Sequence, residues 1–180
     1  MIKSNKVFIA TSLDGYIADA KGGIDWLHAT PNPDQIDMGY ASFMNGVEAL
    51  LMGRNTFETV RSFDMEWPYD KPVYVWSTTL EHIPAAYADK ATLVQGSVTQ
   101  VLEKINEDGH NTIYVDGGRT IQSFLAADAI DEMTITTIPI LLGGGVRLFG
   151  ELPHSLQFSC IKTELFLDKI VQNTYVRTRA

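Results

Sequence analysis

The chain has 180 residues, 45% of them hydrophobic and 20% charged, which suits a globular unit with one substantial core. Its formal net charge of -8 excludes a general nucleic-acid role, and no apolar segment has the length of a membrane span. The single Cys160 excludes an internal disulfide framework and a cysteine-based zinc site, which predicts a cytoplasmic setting.

In chain order, the lysines near the N-terminus precede an apolar run too short for a secretory signal. Val7 to Thr11 reads as a buried strand. Ser12 to Thr30 is a long loop punctuated by Gly15, Gly22 and Gly23. Pro31 and Pro33 precede a helical pattern from about Asp34 to Asn45, with Ile36, Tyr40, Phe43 and Met44 roughly on one face. Val47 to Met52 is a strand and Asn55 to Arg61 a short helix. Pro72 to Trp76 and Thr92 to Gln95 are strands, and Val98 to Asn106 a helix. Thr112 to Val115 is a strand, Thr120 to Ala127 a helix, and Glu132 to Ile138 an alternating strand. Gly143 to Gly145 is a loop. Leu156 to Leu167 and Ile170 to Arg177 form a closing antiparallel hairpin. Strands alternating with helices predict an α/β fold in one domain, residues 1–180: a mixed, mainly parallel sheet flanked by helices, ending in that hairpin.

Two junctions carry the chemistry. In A-L-L-M-G-R-N-T-F-E a buried strand meets Gly53 and then a helix start, where free backbone N–H groups attract anions. Arg54 adds a guanidinium that can grip a phosphate with two parallel hydrogen bonds, and Thr56 adds a hydroxyl. I-Y-V-D-G-G-R-T-I, from Ile113 to Ile121, repeats the design, with Gly117 and Gly118 allowing close backbone approach. Two such junctions point to a dinucleotide held by both phosphates. Ser77, Thr78 and Thr79 end the intervening strand, where ligands of open α/β sheets bind. With Arg54 they can surround a 2′-phosphate, which favours NADPH. Each motif also has a plainer reading as a cap or turn. Asp37 is the candidate acid, since a carboxyl turned into a cleft has its pKa raised by burial. Otherwise it is a solvated helix residue. The loop around Asp14 is either an ordinary turn or a flap over the cofactor. His28, His82, His110 and His154 are scattered without metal-ligand spacing.

The order of these motifs resembles the dihydrofolate reductase-like superfamily over nearly the whole chain. M-G-R-N-T-F-E is similar to the dihydrofolate reductase pattern M-G-R-x-T-[WF]-E. The resemblance implies NADPH held by Gly53, Arg54, Thr56, Ser77, Thr78, Gly117, Gly118, Arg119, Thr120 and Ile121. It also implies a nicotinamide flanked by the backbone at Ala10 and Ile17. Asp37 stands where that family has its catalytic carboxylate, and Thr136 where a threonine orients it. The D-G-G sequence stands where the family has three glycines, which implies a cis bond at Asp116–Gly117.

Other features resemble the riboflavin-biosynthesis (RibD C-terminal) reductase domain and its small stand-alone relatives. These are S-L-D-G-Y-I-A, V-D-G-G-R and P-I-L-L-G-G-G-V-R-L-F. Lys71 occupies the place of the arginine that grips folate's glutamate tail. N-T-F-E-T-V-R-S-F replaces the riboflavin enzyme's D-x-P-x-L-T. The resemblance therefore implies a stand-alone cousin with its cofactor site kept and its substrate site changed. The expected activity is hydride transfer to a small heterocyclic or sugar-phosphate substrate of the 5-amino-6-(5-phosphoribosylamino)uracil type, by a homodimer. Dihydrofolate reduction, a non-catalytic nucleotide-binding protein and a purely structural interaction module are the alternatives.

Overall fold

The computed structural model describes residues 3–179. Its strands are β1 (Ser4–Ser12), β2 (Tyr16–Ala18), β3 (Ala49–Gly53), β4 (Val73–Trp76), β5 (Ala91–Val94), β6 (Thr112–Asp116), β7 (Glu132–Ile138), β8 (Val146–Arg147), β9 (Phe158–Phe166) and β10 (Ile170–Arg177). The α-helices are α1 (Tyr40–Asn45), α2 (Arg54–Ser62), α3 (Val98–Glu107) and α4 (Gly118–Ala126). Eight strands form one sheet in the order β5-β4-β3-β6-β1-β7-β10-β9, and β2 and β8 form a small ribbon. Pairing is parallel from β5 to β7, while β10 runs antiparallel to both β7 and β9.

β3 explains the parallel core. Ala49, Leu50, Leu51 and Met52 are all fully buried, because a strand covered on both faces shows no alternation. Leu50 and Met52 pack with Phe57 of α2 and with Tyr40, Phe43 and Met44 of α1. Ala49 and Leu51 face the opposite layer, with Val101 and Ile105 of α3 and Ile121 and Phe124 of α4. Each fully buried aliphatic or aromatic side chain contributes roughly 1.5–3 kcal/mol. The closing hairpin turns over three residues, Leu167 to Lys169, between the paired Phe166 and Ile170, with Leu167 and Asp168 at positive φ.

The helix expected from Asp34 is much shorter. Gln35, Met38 and Gly39 have φ of 50°, 52° and 88°, and only Tyr40–Asn45 is helical. Asn32 supplies the reason: its side chain accepts from the Ile36 N–H at 2.9 Å and donates to the Ile36 carbonyl at 2.8 Å. That closed loop competes with the helical ladder.

Candidate functional site

The sheet opens where the site lies. β1 pairs with β6 only from Ser4 to Lys6, but stays with β7 from Lys6 to Ser12. The C-terminal halves of β1 and β6 therefore part. At the floor of the gap the Tyr114 hydroxyl donates to the Phe8 carbonyl at 2.8 Å. The helices following these strands lie on opposite faces, α1 against Phe8 and α4 against Val7 and Val115. This is a topological switch point, the crevice in which open α/β sheets bind ligands.

The two glycine junctions meet beside it, because Met52 of β3 is in register with Asp116 of β6. A Cβ on Gly117 would fall 2.3 Å from Thr56 Oγ1, and one on Gly53 would fall 2.9 Å from Thr120 Oγ1. The junctions interlock reciprocally, and any side chain at Gly117 would fill the space between them. Neither α2 nor α4 has a side-chain cap, whereas α3 is closed by a Ser97–Gln100 capping box. The two helices at the crevice thus start without a side-chain cap hydrogen bond, as suits an anion cradle.

Arg54 projects from the start of α2. Its Nε donates to Glu58 Oε1 at 2.7 Å and its Nη1 to Thr79 Oγ1 at 3.1 Å. Ser77 is buried and accepts from the Thr79 and Leu80 N–H groups, so it builds the turn that presents Thr78 and Thr79. Thr78 and Arg119 are exposed. Ile121 does not face the cradle: its side chain is fully buried in the core and its N–H donates to the Gly117 carbonyl. The Asp116–Gly117 peptide is trans, contrary to the cis bond expected there. Gly117 makes the turn instead with a φ of 90°, while its N–H donates to Asp116 Oδ1 at 2.8 Å.

The loop after β1 is tied down. Asp14 accepts from the Ser12 hydroxyl at 2.6 Å and from the Leu142 and Gly143 N–H groups at 3.1 and 2.8 Å. The Ser12 hydroxyl and these two backbone bonds hold its pKa down at about 2. Leu148 N–H donates to the Gly15 carbonyl at 3.0 Å, and β2 pairs with β8. The segment carrying Ile17 is thereby pressed on α4: a Cβ on Gly118 would fall 2.8 Å from Ile17 Cδ1. Ala10 lies in the cluster with Trp26, Met38 and Ile138. The Trp26 indole N–H is buried there without an acceptor among the described residues. An orphaned buried donor fits a site built for a polar ligand atom.

Asp37 stands outside any helix and is exposed. It accepts from the Ala41 and Gly39 N–H groups at 2.9 and 3.0 Å, and those bonds hold its pKa below the ordinary value. This is the reverse of the raised pKa that a buried acid would have. Thr136 is buried but does not meet Asp37. Its hydroxyl accepts from Gln172 Nε2 at 2.8 Å, and the same amide donates to the Met38 carbonyl at 3.0 Å. Gln172 is the bridge that sequence reasoning missed.

Asp116 was the other omission. It ends β6 at the crevice, and loss of hydration pushes its pKa up to about 6 against the lowering bond from the Gly117 N–H. Burial first, and the Asp116 charge second, push up the phenols of Tyr40, Tyr69 and Tyr114. The signal was an acid directly ahead of the glycine pair, at the carboxyl end of a buried strand. Lys71 precedes β4, at the other end of the sheet, in an open cavity with Trp67, Tyr69 and Lys90.

The model of the RibD C-terminal domain family matches residues 6–172. A protein of Shewanella sp. PV-4 named for riboflavin biosynthesis has a solved structure 55% identical to this chain, with a TM-score of 0.95, covering 98% of this chain and 99% of its own. A Thermotoga maritima diaminohydroxyphosphoribosylaminopyrimidine deaminase/5-amino-6-(5-phosphoribosylamino)uracil reductase is 15% identical, with a TM-score of 0.74, covering 98% of this chain and 57% of its own. Enterococcus faecalis dihydrofolate reductase, complexed with NADP(H), is 16% identical, with a TM-score of 0.68, covering 98% of this chain and 97% of its own. The last two likenesses establish a shared fold.

Proposed function

We propose, from the premise that this chain belongs to the RibD C-terminal domain family, that it is an NADPH-dependent reductase of a small heterocyclic or sugar-phosphate substrate. The observation carrying this reading is the interlocked pair of uncapped strand–glycine–helix junctions at the β1/β6 switch point. The donor set fits the cofactor. Arg54, Thr78 and Thr79, presented by Ser77, suit the 2′-phosphate. The first turns of α2 and α4, with Gly53, Thr56, Gly117, Gly118, Arg119 and Thr120, suit the remaining phosphates. Ala10 and Ile17 are the residues that would flank the nicotinamide. When bound, that ring supplies a hydride for an electron-poor C=N or C=O carbon.

Within the protein, Asp116 is the group suited to hold a proton at the crevice, because lost hydration lifts its pKa to about 6. Asp37 is ionised and turned to solvent. Gln172, held by the Thr136 hydroxyl, fixes the Met38 carbonyl, and Met38 and Gln172 line a cavity with Phe8 and Gly39. The fold shared with the Thermotoga bifunctional enzyme supports a substrate like 5-amino-6-(5-phosphoribosylamino)uracil. The fold shared with a dihydrofolate reductase that binds NADP(H) supports the cofactor. We also propose a cytoplasmic homodimer.

The test is a paired titration with NADPH and NADH, read by fluorescence of the reduced nicotinamide. NADPH is expected to bind more tightly, and Arg54→Ala to weaken it by about 1.5–3 kcal/mol, the range for a charged hydrogen bond. Binding of neither nucleotide would return the protein to the interaction-module reading.

A further inference from the structure

Resting on the reductase reading, the surroundings of Asp116 hold two side chains that the proposed chemistry leaves unused. Side chains alternate along β6: Ile113 and Val115 enter the layer of α3 and α4, and Tyr114 enters the layer of α1 and α2. Asp116, two residues after Tyr114, is on the face of that second layer, where Tyr40 of α1 and Tyr69 of the loop before β4 also pack. The Tyr40 ring stands edge-on to Phe8 at 5.6 Å, and the Phe8 carbonyl takes the Tyr114 proton. The Tyr69 ring stands edge-on to Trp67 at 5.4 Å, and Trp67 is held in turn by Phe57 and Tyr87. Both rings are half-buried, yet neither hydroxyl has a hydrogen-bond partner among the described residues. Neither is sealed from solvent, since the Trp26 N–H is the one fully buried orphan among those residues. A phenol packed this deeply ordinarily finds a partner. Burial and the Asp116 charge hold both phenols in the protonated form far above neutral pH, so each is a standing donor.

We infer that Tyr40 and Tyr69 are specificity-determining residues of the substrate site: their hydroxyls donate to acceptor atoms on the edge of a flat heterocycle and hold that ring against Asp116. Phe8 and Phe43, 5.0 Å apart in the same layer, give such a ring an apolar wall. The aromatic packing fixes both phenols before the ligand arrives, so little freedom is lost on binding. Gly117 N–H occupies Asp116 Oδ1 and the Tyr114 proton is spent on Phe8, which leaves Oδ2 for the ligand. The phenols exchange no proton with the substrate. They set which ring fits and how it lies.

Uracil, a flat ring with two carbonyl acceptors, is the probe. It is titrated calorimetrically at millimolar concentration into wild type, Tyr40→Phe and Tyr69→Phe, with and without NADP+, and NADPH affinity is read in parallel by fluorescence. Each variant loses one oxygen and keeps its ring. Each is expected to bind uracil about fivefold more weakly, the range for one hydrogen bond, with NADPH affinity within about twofold of wild type. A general disturbance of the fold lowers NADPH affinity and melting temperature along with uracil affinity, and that pattern overturns the assignment. Wild type that binds NADPH and not uracil, or variants that bind uracil as wild type does, also overturns it and leaves the reductase reading standing. Phenol-dependent uracil binding in a chain that binds no nicotinamide nucleotide overturns the reductase reading alone. Binding of neither nucleotide nor uracil overturns both.

Discussion

At the scale of the residue, Asp37 and Asp116 are separated by their surroundings. Two backbone N–H groups stabilise the charge on Asp37, while lost hydration destabilises it on Asp116. The consequence for stability has a definite sign. Below pH 3.8 the Asp116 carboxyl is neutral whether the chain is folded or unfolded. Between 3.8 and about 6 the folded chain keeps a proton that the unfolded chain has released, so stability falls as pH rises. Above about 6 the full penalty applies. Asp116→Asn should therefore raise the melting temperature at pH 8 by an amount equivalent to about 1–3 kcal/mol, and not at pH 3.5. The same variant should lose at least tenfold in turnover, and wild-type turnover should decline as pH rises through 6. Asp37→Asn should leave turnover within about twofold, since general acid catalysis is worth about 10²–10⁴ where it is used. Measuring both variants across pH decides between the carboxylates: loss in Asp37→Asn alone would remove Asp116 from the mechanism.

At the scale of the element, the site is assembled by contacts between segments far apart in sequence. Asp14 joins the loop after β1 to the Leu142–Gly143 backbone, across 128 and 129 residues. Asp14→Ala should speed hydrogen exchange at Leu142 and Gly143 and weaken nicotinamide nucleotide binding, with the melting temperature little changed. Unaltered exchange at those amides would show that β2–β8 pairing alone holds the loop. Gly117 combines a φ of 90° with a Cβ position 2.3 Å from Thr56 Oγ1. Gly117→Ala is expected to destabilise the fold by about 1–3 kcal/mol, measured by denaturant midpoint, and to abolish cofactor binding. The same scale explains what the sequence revealed. Buried strands such as A-L-L-M and the glycine junctions are local patterns, and the structure places them close to where they were read. The break before Tyr40 was hidden because Ile36, Tyr40, Phe43 and Met44 keep helical spacing, while the Asn32–Ile36 closure depends on one side chain's competing bonds. Gln172 was hidden because its partners, Thr136 and Met38, are 36 and 134 residues away.

At the scale of the whole molecule, helices cover only part of the sheet. α3 and α4 cover one face over the central strands, leaving Leu165 and Val171, paired across the β9–β10 hairpin, 61% and 38% exposed. Ile161, beside the bulge, is also 61% exposed. β9 is the outermost strand, but its edge is poorly suited to further strand pairing. The bulge disrupts it, and Lys162 and Glu164 form an ion pair along it. The apolar face is the better surface for a second copy, because a two-fold contact buries Ile161, Leu165 and Val171 of both copies together. A stable contact of this kind must bury at least about 1,000 Å². Sedimentation at micromolar concentration should therefore give a dimer. Ile161→Glu with Leu165→Glu should give a monomer whose far-ultraviolet circular dichroism matches wild type, since neither side chain belongs to a buried cluster. A wild-type monomer would remove the homodimer from the proposal. A double variant that remains dimeric would move the interface to another face, and Leu13 and Leu141, 62% and 68% exposed, are the next apolar side chains to alter.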